Sequence, residues 1–522
     1  MKRLFDKWVR KTSEPSETKT PVSAEWATLE SAVRQRNFTT IFPALRAWCM
    51  LTERSWEYLQ AVARTAEFSD VALNKLQILF LYLSGDTSQA FDAAQLHFKR
   101  HGFDPDLFVI CLVAVYQSEQ FEMALEYLQE HGEQQMKEST RADYWQMVSV
   151  IYWSTNTMHL LEHAVDRTVE LAPDEVSVLQ TALGVYIELG NQNKIADVRA
   201  RLDAIANVTG FAYALSLLAL GELETGWRHM ESRYDVADAL RLINQGLKQK
   251  PRWSGEPIGN RRLLISAEQG LGDTVQMARY LPMLKELCST QIALEVQPEA
   301  ISLLQHNYPE CIFVERKLNE APDVEFDCWT GMMSLPYLLR LWGKNTPGRH
   351  GYLQVPPDNL QYWKERAAQM SAGKEPRIGL AWSGQPAHRA DRRRSIPFPL
   401  MMAQVKEIDA CFFALQTQVP HGLPPNVIDV TEEMISLADT AALIEQMDLV
   451  ITVDTSIVHI AGALGKKTWL LLPKRYEWRW GLEGESNDWY DSVTVIRQTE
   501  HANWQSVLSD VFERRLPELF NL

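Results

Sequence analysis

The chain has 522 residues, of which 46% are apolar and 23% charged, and its formal net charge is −15. At roughly 100–200 residues per domain, this length predicts about three domains, and the apolar content excludes disorder as the main state. The acidic balance argues against a general binder of nucleic acid or anionic membrane, so no nucleic-acid partner is expected.

The six cysteines, Cys49, Cys111, Cys288, Cys311, Cys328 and Cys411, include no CxxC pair. So thinly spread, they read as buried thiols in a reducing compartment. The N-terminus carries Lys2, Arg3, Lys7, Arg10 and Lys11 but no apolar core of signal-peptide length. No apolar run approaches the roughly 20 residues of a membrane span. A cytoplasmic location is therefore expected, with no integral membrane segment, and residues 1–24 read as a flexible lead.

Over 25–250 the apolar residues recur at the helical period of three and four. A longer period runs over this one: Tyr82, Tyr116, Tyr152 and Tyr186 recur at intervals of 34, 36 and 34 residues. Each tyrosine closes an apolar stretch, and a short polar turn and a second amphipathic segment follow, as at Phe121–Leu128 and Leu160–Val165. A helix–turn–helix unit near 34 residues is the period of tetratricopeptide repeats. A stretch from Leu218 to Trp227 reads as a terminal unit. Stacks of such pairs present an extended surface that suits a polypeptide ligand, so an acceptor protein is the expected partner of this region.

The pattern changes at Pro251-Arg-Trp-Ser-Gly-Glu-Pro257. Short apolar runs at 262–266, 292–296, 311–314, 378–382, 411–415, 449–453, 468–472 and 493–496 read as strands, with helices between them at 273–287, 359–370 and 436–447. Such alternation predicts parallel sheets covered on both faces. The expected fold is thus α followed by α/β: a helical array, then two Rossmann-like domains over 258–350 and 375–522, the second with a terminal helix. Ligands of these sheets bind at the carboxyl ends of strands, here in the cleft between the two halves.

Several strand ends carry chemistry. Ser266-Ala-Glu-Gln-Gly-Leu-Gly-Asp-Thr274 follows a strand and opens a helix. Gly270 and Gly272 permit a tight turn and a close approach of ligand to backbone. Asp273 fits two roles, a helix cap or a general base facing the cleft. Downstream, Gly379-Leu-Ala-Trp-Ser-Gly384 leads into a loop with Arg389, Arg392, Arg393 and Arg394. Ser383, Gly384 and these arginines suit phosphate oxygens, although a solvated charge run reads the same way. Phe412-Phe-Ala-Leu-Gln416 is another strand ending on a polar side chain. Asp454, Thr455 and Ser456 stand where a buried strand gives way to a small-residue helix, with His459 one turn on. They read as a diphosphate or ribose site or as a plain capping cluster.

No metal site is expected. The clearest Asp-x-Asp, Asp104-Pro-Asp106, falls in the helical repeats. Phosphate charge would then be met by arginine and helix N-termini.

Taken in order, Ala267-Glu-Gln-Gly-Leu-Gly-Asp-Thr274, Gly379-Leu-Ala-Trp-Ser-Gly384 with Arg394-Ser-Ile-Pro397, and Val453-Asp-Thr-Ser-Ile-Val-His-Ile-Ala-Gly462 resemble bacterial tetratricopeptide-repeat glycosyltransferases. The catalytic half is similar to glycosyltransferase family 9, the heptosyltransferases, and the architecture is similar to protein O-linked N-acetylglucosaminyltransferases. Glu477-Trp-Arg-Trp480 and Asn487-Asp-Trp-Tyr490 fit the same bacterial group.

The resemblance implies a GT-B fold and inverting, metal-independent transfer from a nucleotide-diphosphate sugar, with no cofactor. It implies Asp273 as base, Arg394 at the donor phosphates, and Asp454, Thr455, Ser456 and His459 along the donor. The expected acceptor is a protein hydroxyl, flagellin or another surface protein; transfer to a lipid-linked saccharide and a non-catalytic scaffold are the alternatives. Glu268 and His388 are the next candidates for the base. One departure stands out: Thr417 follows Leu415-Gln416 where related sequences often carry Lys.

Overall fold

The computed structural model describes residues 24–35, 41, 44–45, 56–84, 86–117, 120–205, 207–235, 247, 249–317, 320–385, 391–475 and 477–521. The expected lead over 1–24 lies outside them apart from Ala24, as do Cys49, His388 and Arg389.

Helical pairs succeed one another as the spacing predicts. Asp70–Ser84 is followed by Thr87–His101, Pro105–Gln117 by Phe121–Glu130, Arg141–Ser154 by Met158–Leu171, and Val176–Leu189 by Gln192–Ala204. The four tyrosines fall in the first helix of each pair. A fifth pair, Phe211–Ala219 and Leu223–Met230, is the predicted terminal unit.

Asp104 and Asp106 do not face an empty site. Lys75 donates to Asp104 Oδ2 at 2.8 Å and to Asp106 Oδ2 at 2.6 Å, and Lys137 also reaches Asp106 at 2.6 Å. Their role is to tie consecutive pairs together.

The described residues form two parallel sheets. The first has strands β1 (Leu263–Ser266), β2 (Ala293–Val296), β3 (Ile312–Glu315) and β4 (Cys328–Gly331), in the order β3-β2-β1-β4. The second has β5 (Arg377–Ala381), β6 (Cys411–Ala414), β7 (Val427–Asp429), β8 (Leu449–Val453), β9 (Thr468–Leu472) and β10 (Val493–Arg497), in the order β10-β9-β8-β5-β6-β7. Each order reverses once, between β1 and β4 and between β8 and β5. In an open parallel sheet such a reversal opens a crevice at the carboxyl ends of the strands. Both crevices therefore fall where the sequence motifs lie.

Two strands, β4 and β7, depart from the sequence expectation; neither was anticipated. The helix expected over 273–287 begins earlier and is broken, as Leu271–Ala278 and Leu281–Leu284 with Pro282 at the start of the second piece.

The chain divides into two compact units: the first holds the described helices up to Val185 together with Ala200–Ala204, and the second holds Tyr186–Arg199, the fifth helical pair and both sheets. Inside the second, Ala214, Leu218, Trp227 and Met230 share one continuous apolar core with β1, β2 and the Ser456–Ala463 helix. Trp227 stands edge-on to Trp478 with ring centroids 5.2 Å apart. A second core fills the other face of the larger sheet, beneath Trp504 and Phe512. Among the described residues no helix is long and apolar enough to cross a membrane. The described cysteines are free thiols.

Candidate active site

The crevice of the smaller sheet is occupied by the chain itself. After the fifth helical pair, Arg233 runs in beside β1 and donates from Nε to Glu268 Oε2 at 2.6 Å and from Nη2 to Glu268 Oε1 at 2.7 Å. Its Nη2 also reaches Ser334 Oγ at 2.7 Å, while Gly331 N donates to the Tyr234 hydroxyl at 3.1 Å. Arg233 and Glu268 are both almost fully buried. A carboxylate held in a fork by a buried guanidinium is a structural anchor, and both oxygens of Glu268 are spent on it.

Asp273 lies one turn further on. Its Oδ2 accepts from Gly270 N at 3.0 Å, closing the start of the Leu271–Ala278 helix as a cap does. Its Oδ1 accepts from Arg479 Nη2. One oxygen of Asp273 thus caps the helix, and the other holds an arginine from the connection after β9.

The two glycines before Asp273 differ. A β-carbon at Gly270 would meet only Asp273 Oδ2, at 3.5 Å, which is ordinary contact. At Gly272 it would lie 2.8 Å from His459 Cδ2 and 3.3 Å from Ser456 Cα. Neither has a positive φ, so the expected tight turn is not what calls for glycine here. Of the two, only Gly272 stands at a close approach, where the first helix of one sheet crosses the Ser456–Ala463 helix of the other.

Across that crossing, Thr455 caps the helix, its side chain accepting from Ile457 N at 3.3 Å, and Ser456 is the first helical residue. Asp454 is buried and accepts from Trp480 Nε1 at 3.1 Å. Burial pushes the Asp454 carboxyl up, against the pull of Arg394 and Arg479. His459 stacks on Trp480 with centroids 5.5 Å apart, and its Nδ1 shares a hydrogen bond of 3.0 Å with the Tyr490 hydroxyl. Burial, reinforced by Arg479 and Arg279, holds this imidazole well below its usual range, so it is neutral.

The loop after β5 completes the rim. Gln416 Oε1 accepts from Trp382 N at 2.8 Å and Ser383 N at 3.1 Å, and its amide nitrogen donates to Ser383 O at 3.1 Å. Gln416 thus clamps the strand end that presents Ser383, and the side chain is spent on the protein itself. Gly384 N donates to Ser395 Oγ at 3.0 Å, and a β-carbon at Gly384 would strike Arg394 Nη2 at 2.3 Å. Arg394 pairs with Asp391 at 3.1 Å and donates from Nη1 to Asp454 O at 2.8 Å. It therefore bridges the reversal point between β5 and β8.

Sequence reasoning gave no role to the residues at the centre, Glu477 and Arg479. Arg479 donates to Glu477 Oε1 at 2.8 Å and Gln276 Oε1 at 2.9 Å as well as to Asp273. Burial works against its charge, but Glu477, Asp273 and Asp454 more than offset this, and the guanidinium stays charged. Burial pushes Glu477 up to about 7, outweighing the attraction of Arg479. The available signal was an acid and an arginine interleaved with Trp478 and Trp480 in the connection after β9: charges set among buried aromatics need partners.

Among the described residues no group of three His, Cys, Asp or Glu side chains is arranged to hold a metal ion.

Residues 416–506 match the model of glycosyltransferase family 9 (heptosyltransferase). That segment carries Gln416, Asp454, Thr455, Ser456, His459, Glu477 and Arg479 but neither Asp273 nor Arg394. Protein FlbA of Caulobacter vibrioides is 28% identical over 381 residues, 66% of this chain and 62% of that protein. The chain thus spans less than two thirds of the length of this curated relative. Among solved structures, the ADP-heptose LPS heptosyltransferase II of E. coli is 13% identical, with 50% of this chain and 97% of that chain covered and a TM-score of 0.33. A mutant O-GlcNAc transferase of Thermobaculum terrenum is 11% identical, with 84% and 91% covered and a TM-score of 0.28.

Proposed function

We propose that the chain is an inverting glycosyltransferase that moves a sugar from a nucleotide-diphosphate donor to a protein hydroxyl held by the helical pairs. The observation that carries this reading is the crossing at Gly272. It brings a carboxylate from the end of one parallel sheet, Asp273, to Arg479 and a helix start from the end of the other, where Arg394 reaches Asp454 O. The family 9 match over 416–506 supports it from sequence.

In this reading Asp273 takes the proton of the acceptor hydroxyl, whose oxygen attacks the anomeric carbon from the face opposite the diphosphate. The leaving charge is met by Arg394 and the N–H groups that open the Ser456–Ala463 helix, beside Thr455. Ser383 and Gly384 line the donor side, and Gln416 holds their loop in place. His459, neutral and fixed by Trp480 and Tyr490, shapes the floor. One carboxylate suffices, because inversion needs no sugar–enzyme intermediate. The arginines take the part that a divalent ion plays in other phosphate sites, so transfer proceeds without metal.

Intact mass spectrometry tests the reading: candidate surface proteins are incubated with the full chain and a panel of nucleotide sugars, with and without EDTA. A hexose-, heptose- or N-acetylhexosamine-sized mass gain that survives EDTA is expected. Gain only after a divalent ion is restored would refute metal independence. Gain on a lipid-linked saccharide and on no protein would refute the protein acceptor.

A further inference from the structure

We propose that Arg479 exchanges partners during the reaction: without donor it masks Asp273, and when donor arrives it turns to the diphosphate and uncovers Asp273. This deepens the sugar-transfer reading and rests on it. The starting point is an inconsistency in the resting site. Asp273 has one oxygen committed to Gly270 N and the other to Arg479. With both oxygens engaged by donors of the protein itself, neither is presented to an acceptor hydroxyl. For Asp273 to act as a base, Arg479 has to let go, and something of greater negative charge has to take its place.

The geometry supplies the path. Arg479 is anchored to its own loop by Glu477, whose Oε1 accepts from Nη1 at 2.8 Å and whose Oε2 accepts from the Arg479 backbone N at 3.0 Å. Glu477 sits at φ +56°, in the left-handed region that a non-glycine residue rarely adopts. Strain of this kind persists where the surroundings over-determine it, and it gathers at ligand clamps and switch regions. The loop is pinned on the side of the larger sheet, since Trp480 reaches Asp454 and stacks on His459. By contrast, Asp273 and Gln276 belong to the helix of the smaller sheet. Arg479 therefore pivots on Glu477 and crosses the cleft to Asp273.

Arg394 approaches the same strand end, donating to Asp454 O at 2.8 Å. A diphosphate at the start of the Ser456–Ala463 helix would draw on both arginines, and an arginine fork binds phosphate oxygens at least as well as it binds carboxylate. Burial already shifts Asp454 and Glu477 toward their neutral forms, so an incoming anion meets less negative charge than three carboxylates imply.

The test is a calorimetric titration of the full chain with ADP, GDP, UDP, CDP and dTDP, and with the nucleoside of whichever binds. The variants are Asp273→Asn, Arg479→Gln, Arg479→Lys and the double variant Asp273→Asn with Arg479→Gln. Exchange predicts that Asp273→Asn tightens nucleoside diphosphate binding by about 5-fold or more, because Arg479 no longer has a charged competitor on the helix of the smaller sheet. Arg479→Gln should weaken it by about 10-fold or more, and Asp273→Asn should then gain nothing in the Arg479→Gln background. The nucleoside should show neither effect.

If Arg479→Gln does not fold, Arg479→Lys, which keeps the charge but loses the fork, should show a smaller loss, and the Asp273→Asn comparison still decides. Equal or weaker diphosphate binding by Asp273→Asn, or a gain that survives in the double variant, would overturn the exchange alone. If wild-type protein binds none of the panel, the sugar-transfer reading itself is overturned.

Discussion

Replacing Gly272 by alanine probes the crossing of the two helices with a single methyl group. The new carbon would sit 2.8 Å from His459 Cδ2 and 3.3 Å from Ser456 Cα. The histidine cannot swing aside cheaply, because it is stacked on Trp480 and bonded to Tyr490. Overpacking of this kind costs about 1–3 kcal/mol. Against it stands the backbone gain of alanine over glycine in a helix, at most about 1 kcal/mol and less in the first turn. The net expectation is a loss of about 1–2 kcal/mol, or a melting point lower by about 1–3 °C in a unit of this size. Gly270→Ala is the control, since its carbon would meet only Asp273 Oδ2 at 3.5 Å. It should cost less than about 1 kcal/mol, the scale of a changed N-cap. Chemical denaturation of both variants beside wild type measures the difference, and nucleoside diphosphate titration asks whether the donor site widens with the crossing. If Gly272→Ala is as stable as wild type, or Gly270→Ala loses as much, the close approach at Gly272 does not hold the helices in register.

Three further outcomes follow from the geometry. Glu477 is raised from an ordinary 4.5 to about 7, so wild type loses stability as pH rises across that window; Glu477→Gln, which carries no such cost, should gain on wild type between pH 4.5 and 8 in denaturant midpoints. A variant whose midpoint difference does not change with pH would show that Glu477 does not titrate there. Trp227→Ala empties a site 1% exposed and should cost about 3–5 kcal/mol, read as a lower melting temperature of the sheet unit. Lys75→Met leaves Asp104 without its cation and Asp106 with Lys137 alone; a loss of about 1–3 kcal/mol in thermal unfolding is expected, and no loss would return the three residues to solvated surface.

The interior strands and the edge strands β3 and β10 are legible in the sequence; the edge strands β4 and β7 are not. β1, β2, β5, β6, β8 and β9 are each flanked by strands on both sides, and their apolar runs announce them. β4 and β7 are edge strands with only two apolar residues each, Cys328 and Trp329 in one and Val427 and Ile428 in the other, whereas the edge strands β3 and β10 hold three. An edge strand pairs on one side and needs no long apolar run, so a chain such as Cys-Trp-Thr-Gly carries little period-two signal. The same locality governs the site. Asp273, Thr455 and Arg394 could be found because capping and strand-end positions are local in sequence. Arg479 could not, because its partners Gln276 and Asp273 lie 203 and 206 positions away, and only the folded chain brings them into reach.

The fifth helical pair, Phe211–Ala219 with Leu223–Met230, also bears on how the chain can be re-engineered. The linker at 251–257 looks like the natural cut for grafting a different helical array onto the sheets. Trp227, however, packs against Trp478 and Trp489, which flank the loop bearing Arg479, and Arg233 fills the crevice of the smaller sheet. A chimera joined at 251 would strip both away and leave an aromatic socket and a buried glutamate without their counterparts. The serviceable junction lies further upstream: it has to keep the native fifth pair and also Glu188, which pairs with Arg393 at 3.0 Å.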